Sequence, residues 1–101
     1  MSPRSPLPLE WAESAREDLE GIADYLIGES QPFEDVEGYV QRIYSAPAHL
    51  STLPGAGKPG RVPNTREWLV KDTLYALIYR VLSDRIQILR VMHGNRQFPE
   101  Q

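Results

Sequence analysis

The chain has 101 residues, 11 of them basic and 14 acidic, for a formal net charge of -3, and it contains no cysteine. This length suits a single domain, and the lack of cysteine excludes disulfides and thiolate zinc sites. With only two histidines, His49 and His93, we expect no metal and no cofactor. No apolar run approaches the ~20 residues of a membrane span, and residues 1–8 lack an apolar signal-peptide core, which predicts a soluble intracellular protein.

The charge is divided unevenly along the chain. Residues 1–50 carry three arginines against ten acids, a net charge of -7, whereas residues 51–101 carry eight cations against four acids, a net charge of +4. Most cations of the second half are arginines, which suit bidentate contacts with carboxylates or phosphates. The overall acidity argues against a dedicated nucleic-acid binder, but the basic half predicts a local surface for an acidic partner.

The N-terminal segment predicts a tail and a short strand. Residues 1–6 are proline-rich, which predicts a disordered tail, and residues 7–99 form the single domain. Leu7, Leu9 and Trp11 alternate with polar or proline positions, as in a strand. Because Pro8 has no N–H to donate, we expect this strand at a sheet edge.

Two amphipathic helices are predicted next. The first presents an apolar stripe of Ala15, Leu19, Ile22 and Leu26. Ser14 and Glu17 fit a capping box at its start. Its acids Asp18, Glu20 and Asp24 are expected to face water. The second helix begins near Pro32 with a stripe of Phe33, Val36, Val40 and Ile43. Pro47 predicts a break, with a further turn over residues 48–53, and the two helices form an antiparallel hairpin.

The second half changes to a period of two. Residues 53–60 are rich in Gly and Pro and are predicted to be a loop. Residues 66–70, 74–82 and 85–92 predict three strands in an antiparallel meander, and the middle strand is apolar on both faces, as in a covered central strand. The fold class is therefore α+β: a short N-terminal strand and a helix hairpin packed on a mainly antiparallel sheet that the C-terminal meander completes.

Three segments of the chain, in this order, resemble one family. They are residues 15–22 of the first helix, the loop and strand of residues 59–67, and the strands of residues 75–81 and 86–91 with the following His93-Gly94-Asn95-Arg96. The chain is similar to toxins of bacterial type II toxin–antitoxin pairs, in the ParE-like branch of the ParE/RelE superfamily. The resemblance implies a cytoplasmic bacterial protein that forms a hetero-oligomer with a cognate antitoxin.

The resemblance leaves two activities to distinguish. RelE-like members are messenger-RNA endonucleases that act on the ribosome, and ParE-like members inhibit DNA gyrase. The ribonuclease branch carries an arginine before its central apolar run, where this chain has Ala76, and lysines on the preceding strand, where residues 67–70 have none. An alanine can neither bind phosphate nor transfer a proton. We therefore expect gyrase inhibition by binding, without a catalytic residue.

Two alternatives remain open from the sequence. One is a ribosome-dependent endonuclease that uses Arg96, His93 and Arg61, and the other is a degenerate, non-toxic module that holds an antitoxin. The expected partners are an antitoxin and DNA gyrase, or the ribosome and messenger RNA in the first alternative, with no membrane. The expected partner-binding residues are Arg61, Arg66, Arg80, Arg90, His93, Arg96 and Phe98.

The arginines differ in their expected settings. Arg80 follows Tyr79 on the central strand and is expected to pair with a helix carboxylate. Arg90 alternates in step with Ile86 and Ile88, so it is expected to point to the same face of the strand. This predicts that the aliphatic part of its side chain is packed and that its guanidinium lies at the rim of the sheet. Arg61 and Arg96 lie in loops and have no evident structural partner. Trp11 and Trp68 are expected in the core.

Overall fold

A computed structural model describes residues 6–28 and 33–94, with the side chains of residues 33 and 34 left aside. The elements are β1 (Leu9–Trp11), α1 (Glu13–Gly28), α2 (Phe33–Ser45), α3 (Pro47–Thr52), a single 3-10 turn (Pro54–Ala56), β2 (Lys58–Pro59), β3 (Arg66–Leu69), β4 (Tyr75–Val81) and β5 (Ile86–His93). Residues 1–5 of the predicted tail of residues 1–6, the helix start at Pro32, and the candidates Arg96 and Phe98 lie outside the described residues.

One five-stranded sheet has the order β1-β5-β4-β3-β2. β1 runs parallel to β5, and the other neighbours are antiparallel. The predicted α+β fold, the edge position of the first strand and the three-strand meander are confirmed. The predicted loop over residues 53–60 is wrong in one detail, because Lys58 and Pro59 form a short edge strand against β3.

The helices pack on one face of the sheet, here called the helix face. The core joins Ala15 and Ile22 of α1, Ile43 of α2 and Leu50 of α3 to the sheet. The other buried residues of this core are Val70, which directly follows β3, and the strand residues Leu77, Tyr79, Ile86, Ile88 and Val91. The predicted break at Pro47 is confirmed, since α2 ends at Ser45 and Pro47 begins α3. A proline fits there because the first turn of a helix needs no N–H donor.

A β-bulge in β5 changes which side chains face the core. Tyr79 pairs with Ile88 but Ile78 pairs with Arg90, so Leu89 is an extra residue at this step. The bulge keeps both Ile88 and Val91 on the helix face. The prediction that Arg90 points to the same face of the sheet as Ile86 and Ile88 is therefore wrong. Arg90 is paired with Ile78, on the opposite face.

The opposite face of the sheet, here called the polar face, carries the other set of alternating residues. The register places in one row Lys58, Glu67, Ile78 and Arg90, and in the next row Leu69, Ala76 and Met92. Arg80 and Gln87 form a third pair on this face. Ala76 and Ile78 are buried, as expected for a central strand covered on both faces.

Candidate partner-binding surfaces

Arg66 holds a turn against the centre of the sheet. Its guanidinium Nη1 donates to the carbonyl oxygens of Gly57 at 2.6 Å and Gly55 at 3.4 Å. In the same turn, the Tyr79 hydroxyl donates to the Pro54 carbonyl at 2.8 Å and accepts from the Gly57 N–H at 2.9 Å. Burial raises the pKa of the Tyr79 phenol, against the lowering effect of its bond to Gly57. Arg66 and Tyr79 thus hold in place the turn that precedes β2.

Arg61 has a structural partner that the sequence did not indicate. Its N–H donates to Glu67 Oε2 at 3.2 Å, and its Nε lies 3.5 Å from the same oxygen. The Glu67 side chain is only 8% exposed, whereas the Arg61 side chain is 43% exposed. The expectation that Arg61 lacks a structural partner is wrong, because the chain folds its loop back onto the strand that carries Glu67.

Arg80 makes a contact on the polar face. Its Nε donates to Gln87 Oε1 at 2.8 Å, and the residue is exposed. The prediction that Arg80 pairs with a helix carboxylate is wrong, because the register places Arg80 on the face away from the helices. Lys58, Arg61 and Arg80 consequently give the polar face an excess of positive charge over its one described carboxylate, Glu67.

Arg90 and Asp18 form a clasp between β5 and α1. The Arg90 Nε and Nη2 lie 2.7 Å from Oδ2 and 3.1 Å from Oδ1 of Asp18, and the Val91 N–H donates to Oδ2 at 2.9 Å. The hydrogen bond to Asp18 is the main cause that raises the pKa of the Arg90 guanidinium. The prediction that Asp18 faces water is wrong. Because β1 ends at Trp11, the edge of β5 is open beyond that point, and the Asp18 carboxylate accepts a hydrogen bond from the Val91 N–H there.

Ser14 also contacts this edge. α1 begins at Glu13, and the Ser14 hydroxyl donates to the Leu89 carbonyl at 2.8 Å. The predicted capping box is therefore wrong. Ser14 and Asp18 lie one turn apart and together satisfy the carbonyl and the N–H of the bulged edge. The signal for these contacts in the sequence is weak, because each joins residues more than 70 positions apart.

His93 lies on the helix face, away from Arg61. Its ring packs edge-on against Tyr75, with centroids 5.5 Å apart, and Tyr75 packs in the same way against Tyr39 of α2 at 6.2 Å. Since Arg61 pairs with Glu67 on the polar face, the sheet separates two of the three residues that an endonuclease was expected to use. Trp11 and Trp68 pack against the core as predicted, and Trp11 also stacks on Tyr44.

Three surface depressions surround these residues. The largest, here called the β5 cleft, has a volume of 690 Å³ and lies between α1 and the end of β5. A groove of 410 Å³ follows the outer seam of α1 and α2, with Leu19 and Val40 in its walls. A third, of 470 Å³, lies on the polar face over Ala76, beside Lys58 and Arg61. Among the described residues, no three His, Cys, Asp or Glu side chains are grouped to hold a metal ion. Over the same residues, no helix combines the length and apolar character needed to cross a membrane.

The arrangement of helices on one face of this sheet defines the class of the protein. It is similar to a chain of the toxin–antitoxin complex RelBE2 from Mycobacterium tuberculosis, with a TM-score of 0.56, 24% identity and coverage of 88% of this chain and 92% of that one. It is also similar to a chain of the chromosomal ParDE TA system from P. aeruginosa, with a TM-score of 0.79, 29% identity and coverage of 86% and 95%. The fold is that of type II toxins.

The family follows from the sequence match. The model of the ParE toxin of the type II toxin–antitoxin system parDE matches residues 9–98, so the chain belongs to this family. A protein of Sinorhizobium fredii named "Putative toxin Y4kP" is 34% identical over 92 residues, which are 91% of this chain and 93% of that protein. The ParE-like identity expected from the sequence is confirmed.

Proposed function

We propose that this ParE-family toxin inhibits DNA gyrase, and with it replication, by binding rather than by catalysis. A cognate antitoxin neutralises it in a cytoplasmic hetero-oligomer. The observation that carries the proposal is the composition of the one row of paired residues on the polar face that contains Ala76. The neighbours of Ala76 across the strands are Leu69 and Met92, and no cation occupies this row.

The distribution of acid, base and cation supports binding over RNA cleavage. Attack by a 2′-hydroxyl needs a base and an acid in reach of one phosphate, and cations for the developing charge. Arg61 and His93 lie on opposite faces of the sheet, and the Glu67 carboxylate is held by Arg61. A single bound phosphate therefore does not meet both Arg61 and His93 in this arrangement.

The charge of the polar face supports an acidic protein partner. Lys58, Arg61 and Arg80 are exposed along this face, and the first two line the depression over Ala76. The similar structures come from toxin–antitoxin systems, which is why we assign the acidic partner to an antitoxin. Complementary charge speeds such an encounter and selects the partner.

The proposal is tested by inducing the chain in bacteria without an antitoxin and then assaying purified DNA gyrase. We expect growth to stop and supercoiling activity to fall as the protein is added. A matched control is the same preparation with its antitoxin, which restores supercoiling. Cleavage of ribosome-bound messenger RNA, with gyrase unaffected, would contradict the proposal and favour the endonuclease. Unaffected growth would contradict it and favour the non-toxic module that holds an antitoxin.

A further inference from the structure

Two large apolar side chains are exposed in the same depression, the one over Ala76. Leu69 and Leu74 both line it, and they are 64% and 60% exposed. Leu69 is paired with Ala76 on the polar face, and Leu74 directly precedes β4. Apolar side chains exposed singly are common on protein surfaces, whereas a group of them around a depression is typical of a contact site. The polar face therefore offers an apolar contact as well as positive charge.

The charge of this depression is confined to one end. Lys58 lies on β2 and Arg61 in the loop that follows, and both are exposed. Glu67 is the one carboxylate among the lining residues, and it already pairs with Arg61. The opposite end, toward β5, is lined by the uncharged Leu74 and Gly94. With two cations and one carboxylate, the depression carries a net charge of +1, on the side of β2.

The described chain ends at the uncharged end of the depression. Gly94 follows β5 directly, and its N–H donates to the Leu74 carbonyl at 2.7 Å. A Cβ atom built on Gly94 would lie 3.5 Å from Cδ1 of Leu69. The residues that come next, 95–101, lie outside the described residues, and they start from a point beside the exposed Leu69.

The next residues carry their side chains in the order that the depression requires. Arg96, Phe98 and Glu100 come two, four and six positions after Gly94, a spacing that directs them to one side of an extended chain. At about 3.3 Å per residue, Phe98 can reach about 13 Å and Glu100 about 20 Å from Gly94. β2 is the third strand from β5, at about 14 Å. Phe98 can therefore contact Leu69, and Glu100 can reach the cations beside β2, while Arg96 stays at the uncharged end.

We infer that residues 95–101 cover the depression in the isolated protein, with Phe98 on the two exposed leucines and Glu100 beside Lys58 and Arg61. An acidic partner then has to displace this segment before it binds the cations of the polar face. The contact is intramolecular, so its test does not depend on gyrase being the target and is independent of the proposed function.

Nuclear Overhauser spectra of the full chain test the contact directly. We expect cross-peaks between the ring protons of Phe98 and the methyl protons of Leu69. The competing location is the β5 cleft, because His93 at the end of β5 lines it. Cross-peaks from Phe98 to Ile22 or Leu26 in that cleft, or cross-peaks to neither location, would overturn the inference.

Glu100→Gln tests the contribution of charge. We expect the methyl signals of Leu69 to move toward their positions in Phe98→Ala, because the segment loses its attraction to Lys58, and we expect added salt to reduce this shift. Glu37→Gln is the matched control, since it removes the same charge from an exposed position of α2. Equal shifts in both variants, or a shift in neither, would contradict the placement of Glu100.

A short glutamate peptide, used as an acidic probe, tests the competition. Its apparent affinity depends on the fraction of the protein in which the depression is open. We expect Phe98→Ala to bind the peptide about threefold more tightly than the parent in calorimetry. Gln97→Ala is the control in the same segment, with the opposite alternation, and should keep the parent affinity. Equal affinity in the parent and Phe98→Ala, or the same gain in Gln97→Ala, would overturn the inference that the segment closes this face.

Discussion

The helix face and the polar face of the same sheet are built from alternate residues of the same strands, yet they serve different purposes. On the helix face, Leu77 and Tyr79 are fully buried against three helices. On the polar face, Arg61 and Arg80 are bonded to the sheet but remain accessible. Stability is therefore concentrated on one face, and the other is available to a partner. Four substitutions can break or sharpen this distinction.

The largest expected effect is on the helix face. Leu77→Ala removes a fully buried side chain that is paired with Val91, and we expect it to lower the free energy of unfolding by about 2–5 kcal/mol. Urea denaturation measures the change. Arg80→Ala is the control on the polar face of the same strand, expected to stay within about 0.5 kcal/mol of the parent. Similar losses in both variants would contradict the distinction between the faces.

A steric effect at the turn before β2 comes next. A Cβ at Gly57 would lie 2.6 Å from the Tyr79 hydroxyl and 2.7 Å from the Glu67 carbonyl oxygen. We expect Gly57→Ala to lower the free energy of unfolding by about 1–3 kcal/mol, because backbone has to move. Gly55→Ala, whose Cβ meets nothing within 4 Å, should leave the urea midpoint near that of the parent.

The clasp at the β5 edge has a smaller expected effect. Asp18→Ala removes the acceptor of three donors, from Arg90 and Val91, and we expect a loss of about 1–2 kcal/mol in the free energy of unfolding. The value is moderate because the Arg90 side chain is 40% exposed and water can replace the carboxylate. Asp24→Ala on the exposed surface of α1 is the control, and an equal loss there would show that the clasp adds nothing.

The smallest expected effect is a dependence on alkaline pH. Burial raises the pKa of Tyr79 in the folded protein above its ordinary value of 10.0. The native state therefore retains the phenol proton where the unfolded chain releases it. The stability from this group is complete below about pH 10 and is lost as the pH rises through the raised pKa. Urea midpoints measured across this pH range should fall less steeply in Tyr79→Phe than in the parent. Equal slopes in the two proteins would refute the assignment of this pH dependence to Tyr79.

Much of the fold was predictable because its signals are local. The apolar spacing of α1, the proline at position 47 and the alternation in residues 74–82 each depend on neighbours within one element. They correctly predicted the helix hairpin, the edge strand and the meander. The family resemblance extended over the same elements, so the class of toxin was accessible before the structure.

The settings of the candidate residues were less predictable. Arg90 was assigned the wrong parity because one extra residue in β5 reverses the alternation, and nothing in its apolar pattern marks the bulge. Asp18 was assigned to water because helical spacing places it on a polar stripe, and only the departure of β1 at Trp11 brings β5 beside it. Arg61 was assigned no partner because only the pairing of β2 with β3 brings its loop beside Glu67.

The sequence alone determined the elements apart from β2, the division into an acidic and a basic half and the family, since periodicity, charge and motif order are properties of the linear chain. Only the tertiary structure decided that Arg61 and His93 lie on opposite faces and that the chain leaves β5 beside Leu69 on the polar face. These relations depend on register, and one residue of slip or bulge moves every later side chain to the other face.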